Sequence, residues 1–361
     1  MRKVLKFGGT SLSDAKRIEN AVKIIEKQKP SVIVVSAPGK RFCGDEKITD
    51  LLVACCSEQT ISERKRLLEK VLVRFSEVTR SLGVDAAAEE VFSEAERLLL
   101  ETHTDSKTRD FVVGRGEYLC AKIVAECCGG TFVDGKEVVF FGQDGLFDVQ
   151  TSVKRTAIAL KGIDRAVVPG FYGCDACGNE KLLPRGGSDV SGSIVAAAIN
   201  GKYYNYTDVN GFCRADPNVS EVARPIAFLS YGEAERAASR GATVVHPDAI
   251  SIAREYNVEI IVKNTFNRAF GGTVIGNKRA PLGKDGALVV AKSKSGVISV
   301  VFGDGITPDG AAAARLSRVL ENNAIRVTSV RRENSVVFLN IGEDKTVRAE
   351  GILCEYLFGE R

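Results

Sequence analysis

The chain has 361 residues, 27% of them charged and 44% hydrophobic, with a net charge of +4 and ten cysteines. That is enough chain for two or three domains around sizeable cores, and basic residues interleaved with acidic ones exclude a nucleic-acid-binding stripe. No apolar run reaches membrane-spanning length and no signal-type segment follows Met1, so the expectation is a cytoplasmic protein with no membrane partner. Lys3–Phe7 predicts a strand, and Gly8-Gly9-Thr10-Ser11 follows it. Two glycines let the backbone turn tightly so that successive N–H groups meet one anion, and Lys6 adds a cation. The spacing is not that of a P-loop, because G-x-x-x-x-G-K-[ST] occurs nowhere in the chain.

Ile18, Ala21, Val22, Ile24 and Ile25 have helical spacing within 14–28, and Val32–Ser36 after Pro30 predicts a buried parallel strand, so the chain opens as βαβ. A charged, leucine-rich insertion at about 60–110 predicts a helical hairpin broken at Ser81-Leu82-Gly83. Strands are expected at Glu137–Phe141, Ala166–Phe171, Tyr203–Asp208 and Val258–Lys263, the last closing this domain. Helices are expected at Asp189–Asn200 and Ser230–Arg240. The alternation predicts a three-layer α/β fold with a mainly parallel sheet. Asn277–Gly286 carries Lys, Arg, Pro and Gly and predicts a linker between a domain over 1–280 and another over 285–361. Strands at Ala287–Ala291, Val297–Phe302, Ile325–Arg331 and Ser335–Ile341, with helices at Asp309–Asn322 and Asp344–Phe358, predict a small α+β unit there.

The cysteines are scattered, and Cys55-Cys56 and Cys127-Cys128 lie in apolar stretches as small hydrophobes. Cys174-Asp175-Ala176-Cys177 has half the spacing of a zinc site, but only His103 and His246 supply imidazoles, so it reads as a turn. No residue is assigned to a metal.

Six further motifs follow Lys6–Ser11 in order: Ile48-Thr49-Asp50-Leu51-Leu52, Gly114-Arg115-Gly116-Glu117, Pro184-Arg185-Gly186-Gly187-Ser188-Asp189, Tyr206-Thr207-Asp208-Val209-Asn210-Gly211, Ala215-Asp216-Pro217 and Gly241–Pro247. Together they resemble the aspartokinases of the amino acid kinase superfamily, from about Lys3 to Ile275. The segment beyond resembles one ACT module of ferredoxin-like type, with its final strand supplied from the front. The resemblance implies the amino acid kinase fold and ATP-dependent phosphorylation of the L-aspartate β-carboxylate to 4-phospho-L-aspartate, with Mg²⁺. This is the first step towards lysine, threonine and methionine.

The chemistry suits such residues. A β-carboxylate is ionised at neutral pH and needs no general base, so the protein must align two anions and neutralise their charge. By resemblance Lys6 stabilises the transferring phosphoryl group, Asp189 orients Lys6, and Gly8, Gly9 and Ser11 line the phosphate path. Arg185 grips the substrate α-carboxylate with its guanidinium fork, Ser188 and the helix start behind it add N–H donors, and Glu117, at a helix start, meets the α-ammonium. Ser36, Thr49 and Phe171 complete the aspartate pocket, and Thr207 and Asp208 contact ATP.

Three features depart from the family, one of them Asn210, which stands where Asp is frequent and fits a turn preference. Asp216-Pro217-Asn218 stands where Asp-Pro-Arg is usual, leaving a basic contact to the nucleotide phosphates to Arg214 or to none. Only a few residues separate Ala291 from Val297, where many aspartokinases insert a second ACT module, so lysine and threonine control is in question. The remaining Gly303-Asp304-Gly305 loop is left to offer N–H groups to an effector carboxylate, and the sheet edge to pair with a second copy in a homodimer. The alternatives are another amino acid kinase, acting on glutamate, acetylglutamate, carbamate or UMP, and a non-catalytic amino-acid-binding regulatory protein.

Overall fold

The computed structural model describes residues 1–84, 93, 96, 97, 105–184, 186–242 and 244–359. They form two compact units, Met1–Asp208 with Glu255–Val258, and Val209–Arg254 with Glu259–Arg361. Among the described residues no helix is long and apolar enough to cross a membrane.

The first unit is built on a parallel sheet. Its strands are β1 (Lys3–Phe7), β2 (Val32–Val35), β3 (Thr131–Phe132), β4 (Ala166–Pro169) and, after a β5–β6 hairpin (Tyr172–Cys174 with Glu180–Leu182), β7 (Lys202–Thr207). They pair in the order β3-β4-β2-β1-β7, all parallel. Val32–Val35 and Ala166–Pro169 are buried along their whole length, which explains why they read as continuous apolar runs rather than alternating ones. Helices α1 (Ala15–Gln28), α2 (Ile48–Ser57), α3 (Ile61–Leu82), α4 (Ser106–Cys128), α5 (Val149–Ala159) and α6 (Gly187–Ala198) accompany it. Asp14 caps α1 by accepting the Arg17 N–H, and Ile18, Ala21, Ile24 and Ile25 bury its inner stripe. α3 ends at Gly83, φ 67°, at the expected break; the hairpin's second arm lies largely outside the described residues.

Glu137–Phe141 is not a strand. Gly135–Glu137 forms a 3₁₀ turn, and Phe140 and Phe141 make only isolated bridges. The reason is that α5 takes the backbone groups a neighbouring strand would need: Ser152 Oγ accepts the Phe140 N–H at 2.9 Å, and Thr156 Oγ1 donates to Val138 O at 3.0 Å. Cys174-x-x-Cys177 is the turn of the β5–β6 hairpin, where Asp175 Oδ1 accepts the N–H groups of Cys177 and Asn179, both at 2.9 Å.

In the second unit β8 (Phe228–Ser230) leads into α7 (Tyr231–Ser239) through a capping box of Ser230 and Glu233. α8 (Pro247–Glu255) follows, then β9 (Ile260–Asn264) and β10 (Thr273–Gly276). Val258–Lys263 was expected to be the last strand of its domain, yet β10 runs back antiparallel to β9 and lies parallel to β8. Gly272, at φ 84°, makes this possible, since a Cβ there would stand 2.0 Å from Val262 O. The expected linker is partly packed: Ala280 is buried and its N–H donates to Glu233 Oε2 at 3.4 Å.

The chain then forms an antiparallel sheet of β11 (Ala287–Lys292), β12 (Val297–Phe302), β13 (Ser329–Glu333) and β14 (Val336–Asn340), in the order β11-β12-β14-β13. α9 (Gly310–Asn322) and α10 (Thr346–Phe358) share its core, with Leu316, Leu320, Leu353 and Leu357 packed against Ile298, Val300 and Phe302. This is the α+β, ferredoxin-like order with an outer strand supplied from the front. The strand expected from Ile325 begins only at Ser329, because the Ile325 N–H turns back to Leu320 O at 3.0 Å and closes α9.

Candidate active site

Parallel strands point their carboxyl ends at one edge of the sheet, and crevices for ligands form there. At the end of β1 the backbone crosses the loop leaving β2 at very short range. A Cβ on Gly9 would stand 2.7 Å from Ala37 O, and one on Gly39 2.6 Å from Gly9 C; the Gly39 N–H donates to Gly9 O at 2.8 Å. Only glycine fits at this crossing.

Two arginines hold it shut. Arg17 Nη1 donates to Thr10 O at 3.0 Å and Lys40 O at 3.2 Å, and Nη2 to Arg41 O at 3.1 Å. Buried Arg74 donates to Glu46 O at 2.7 Å, Ser13 O at 3.2 Å and Gly39 O, and pairs with Asp45 at 3.6 Å. The hydrogen bonds from Arg41 hold the Asp45 carboxyl far below the usual carboxylate range. Sequence reading missed both arginines. The signal for Arg74 was present: it occupies an inward position of α3's stripe of Leu67, Leu68, Val71, Phe75 and Val78.

Lys6 is 8% exposed, with its Nζ 2.7 Å from Asp189 Oδ1. Asp189 comes from the first turn of α6, so the two motifs meet as the sequence implies. The same Oδ1 accepts the Asn205 side-chain amide at 3.2 Å, and Asn205 is the register partner of Lys6 across β1 and β7. Asn205, which sequence reading did not single out, is buried and its Oδ1 has no partner among the described residues.

The glycine turn differs from the expected cradle in one respect. The Gly8 N–H donates to Tyr206 O at 3.0 Å and the Ser11 N–H to Gly8 O at 2.9 Å, so neither is offered to an anion. The donors left by the geometry are the N–H groups of Gly9 and Thr10, which open the 3₁₀ turn Gly9–Leu12. Ser11 is fully buried.

Glu117 lies in the middle of α4, not at a helix start, so a helix-dipole role is removed. It is 4% exposed, Oε2 has no partner among the described residues, and burial pushes its carboxyl up to about 8 against a backbone N–H contact from Ala37. Gly116 lets α4 approach, since a Cβ there would be 2.9 Å from the Ala37 Cβ. Arg115 beside it is buried, ion-paired with Glu180 of the hairpin, and stacked on Phe111 and Tyr118 at 4.2 and 4.4 Å. Half-buried Thr49 lies in the first turn of α2, whose Ile48 N–H donates to Pro38 O at 3.2 Å. Ser36, half-buried at the end of β2, donates its N–H to Phe7 O at 3.2 Å.

Phe171 follows β4 with φ 74°, a conformation a bulky residue adopts only under constraint, and its N–H donates to Ser191 Oγ at 3.2 Å. Ser188 is buried against the same strand end; a Cβ on Gly170 would stand 2.7 Å from its Cβ. Thr207 ends β7, and its hydroxyl donates to exposed Asp208 at 3.2 Å. Arg185 lies outside the described residues.

In the second unit, Arg214 is not free to meet a phosphate. Its guanidinium donates to Leu288 O at 3.1 Å and to Pro281 O, and it stacks 5.0 Å over Phe358. Asn218 closes a turn on Asp216, donating N–H and side-chain amide to Oδ1 at 2.9 and 3.0 Å. The Asp304 N–H donates to Glu233 Oε1 at 3.2 Å, so one donor of the Gly303-Asp304-Gly305 loop already has a carboxylate.

Comparison with known proteins gives the family. The amino acid kinase family profile matches residues 1–264. The chain is 29% identical over 311 residues to aspartokinase 3 of Bacillus subtilis, covering 82% of this chain and 68% of that protein. It is 32% identical over 285 residues to an aspartokinase of Chlamydia pneumoniae, covering 75% and 62%. It therefore spans about two thirds of the length of these curated relatives. Among solved structures, Clostridium acetobutylicum aspartate kinase superposes with a TM-score of 0.80 at 24% identity, over 98% of this chain and 99% of that one. Escherichia coli aspartokinase III, solved with aspartate and ADP, gives 0.74 at 22% identity over 96% and 80%. These two likenesses show a shared fold. The chain belongs to the amino acid kinase family, and the curated relatives it resembles are aspartokinases.

Proposed function

We propose that the chain is an ATP:L-aspartate 4-phosphotransferase. The observation that carries the reading is the buried Lys6–Asp189 pair at the sheet's carboxyl edge, taken with the Gly9–Thr10 donors and a buried Glu117 Oε2 that has no partner among the described residues. A cation held rigidly in a water-poor site is worth more to a developing negative charge than one in solvent. Lys6 therefore faces the transferring phosphoryl group, and Asp189 and Asn205 fix its direction. A β-carboxylate oxygen of aspartate forms the new bond to the γ-phosphorus while the bond to the β,γ-bridging oxygen breaks, and ADP leaves with that electron pair. Glu117 meets the substrate ammonium, Arg185 and Ser188 its α-carboxylate, with Ser36, Thr49 and Phe171 around the side chain.

Thr207 and Asp208 face the nucleotide. Mg²⁺ entering with the triphosphate as substrate would supply neutralisation of its charge. The Lys6 cation and the Gly9 and Thr10 N–H groups are donors of the kind such a triphosphate requires. The β13 edge, Ser329–Glu333, is exposed at every residue and is where we propose that two copies pair as a homodimer. The product is an acyl phosphate, which hydroxylamine converts to a hydroxamate. Hydroxamate formed only when ATP, Mg²⁺ and aspartate are all present supports the reading, and ATP consumption without hydroxamate contradicts it.

A further inference from the structure

Helix α4 carries Glu117 and passes between two parts of the aspartate pocket, with a glycine at each contact. On one side a Cβ on Gly116 would stand 2.9 Å from the Ala37 Cβ and 3.1 Å from Ile48 Cγ2, where the loop after β2 runs into α2. On the other, a Cβ on Gly114 would stand 3.3 Å from both Tyr172 Cδ1 and Glu180 Oε2 of the β5–β6 hairpin. Glycine faces let the backbones approach closely but offer no side chain to stop the helix sliding along its neighbours.

Charged groups fix the register instead. Arg115, 5% exposed, reaches both carboxylate oxygens of Glu180 through Nη2, and its Nε donates to Phe111 O at 3.1 Å. The Glu180 side chain is equally buried, and Lys136 Nζ stands 3.9 Å from its Oε1. Earlier on α4, Asp110 Oδ2 accepts the Leu182 N–H at 3.4 Å. The hairpin carries this register to the rest of the pocket. Its strands pair Tyr172 with Leu182, and just beyond them the Leu183 N–H donates to Phe171 O at 2.8 Å. Leu183 and Phe171 form the surface on which α6 starts, since a Cβ on Gly187 would stand 2.8 Å from the Leu183 Cβ and 2.9 Å from Phe171 Cδ2. Ser188 is the next residue. Buried Tyr172 secures the hairpin from behind, its hydroxyl donating to Asp134 Oδ1 at 3.1 Å. An unbroken run of contacts thus leads from Arg115, two residues before Glu117, to Phe171 and the start of α6.

We propose that Arg115 and Glu180 are positioning residues for the amino acid substrate, setting the separation between Glu117 and the Phe171–Ser188 side of the pocket. This deepens, and rests on, the reading of Glu117 as the contact to the substrate ammonium and of Phe171 and Ser188 as contacts to the rest of the molecule. A substrate held at both ends binds well only where its two holds stand at the right distance. Slack between α4 and the hairpin therefore weakens the amino acid and spares the nucleotide, which meets Thr207 and Asp208. The guanidinium suits the task because Phe111 and Tyr118 fix its plane before Glu180 is engaged.

The test uses the full chain with Arg115→Met, Arg115→Lys and Glu180→Gln, and with Val112→Ala, a truncation in the buried core of the same helix, as the control for lost stability. For each variant KM for aspartate and for ATP is measured, together with Tm and amide hydrogen exchange of peptides covering 172–183. Arg115→Met is expected to raise KM for aspartate about tenfold or more while KM for ATP stays within about twofold, and to speed exchange over 172–183. Arg115→Lys keeps a cation for Glu180 without the stacked fork and should recover part of the rise. Glu180→Gln keeps an acceptor for the guanidinium and should move KM for aspartate in the same direction by less; it decides the matter if the Met variant does not fold. Val112→Ala should lower Tm and leave both constants unchanged. An unchanged KM for aspartate, an equal rise in both constants, no recovery with Lys, or the same rise in Val112→Ala overturns the proposal. If the wild-type chain turns over no aspartate, the functional reading falls instead. The exchange measurement still judges the fastening, and unchanged exchange over 172–183 in Arg115→Met and Glu180→Gln overturns it.

Discussion

Lys6 and Glu117 are both buried charges-in-waiting, but their surroundings treat them differently. Lys6 has Asp189 at 2.7 Å; among the described residues no cation pairs with Glu117, and burial raises its carboxyl to about 8. Lys6→Ala should therefore remove about 3 kcal/mol or more of transition-state stabilisation, read as a fall in kcat, and should also lower Tm because Asp189 loses its cation at a nearly buried position. Near-normal kcat in that variant would strip Lys6 of its role. For Glu117 the sign follows from the ordinary value of 4.5 in the unfolded chain. Between roughly pH 4.5 and 8 the fold keeps a proton that the unfolded chain has lost, so stability is fully present below the window and falls as pH rises through it. Glu117→Gln removes that slope, and its Tm relative to wild type should improve steadily from about pH 5 to about pH 8. Parallel Tm curves would contradict the buried neutral acid. An arriving substrate ammonium favours the ionised carboxylate of Glu117, which the Gln variant cannot form, and KM for aspartate should rise about tenfold or more. At this scale the meeting of Lys6 with Asp189 was legible because both lie in motifs. Asn205 was not: within Tyr203–Tyr206 it reads as one more strand residue, and its value lies in a register with Lys6 that only the folded sheet creates.

Among the elements, the crossing of the β1 and β2 loops is the feature on which the site depends. Gly9→Ala places a methyl 2.7 Å from Ala37 O, with backbone on both sides and no flexible side chain to yield. It should destabilise the fold by about 1–3 kcal/mol and abolish most turnover. Gly8→Ala makes a sharp contrast, because a Cβ there meets Tyr206 O at 3.6 Å and Lys6 Nζ at 3.7 Å, ordinary contacts. That variant should keep its Tm and lose activity, and the pair measured by calorimetry and turnover separates packing from chemistry. Equal Tm losses in both would refute the distinction. Most elements were legible from periodicity: α1 from its inner stripe, β2 and β4 from unbroken β-branched runs. Glu137–Phe141 misled because its apolar run is genuine but its backbone partners are Ser152 and Thr156 side chains, a pairing that no local pattern announces. β10 was missed because Thr273–Gly276 is short, and the turn before it rests on the single left-handed Gly272.

For the whole molecule, the order β11-β12-β14-β13 was legible as a permuted ferredoxin-like module, whereas its attachment was not. Asp216, Lys292 and Glu350 are far apart in sequence and unremarkable singly; they meet only when α10 lies against the segment after β7. The short β11–β12 connection and the Glu233 carboxylate on the Asp304 N–H argue against a site for a free amino acid in that loop. Lysine and threonine, alone or together, should then inhibit weakly or not at all at millimolar levels, assayed at subsaturating aspartate. Cooperative inhibition below a millimolar would show that the module senses them. The central claim, that the buried Lys6–Asp189 pair and Glu117 serve phosphoryl transfer to aspartate, is tested most directly by ADP release from Mg·ATP with aspartate, glutamate, acetylglutamate and UMP offered in turn. Turnover with aspartate that far exceeds the other three, and that Lys6→Ala abolishes, is the predicted result; turnover favouring UMP or another acceptor, or none with any, would contradict it.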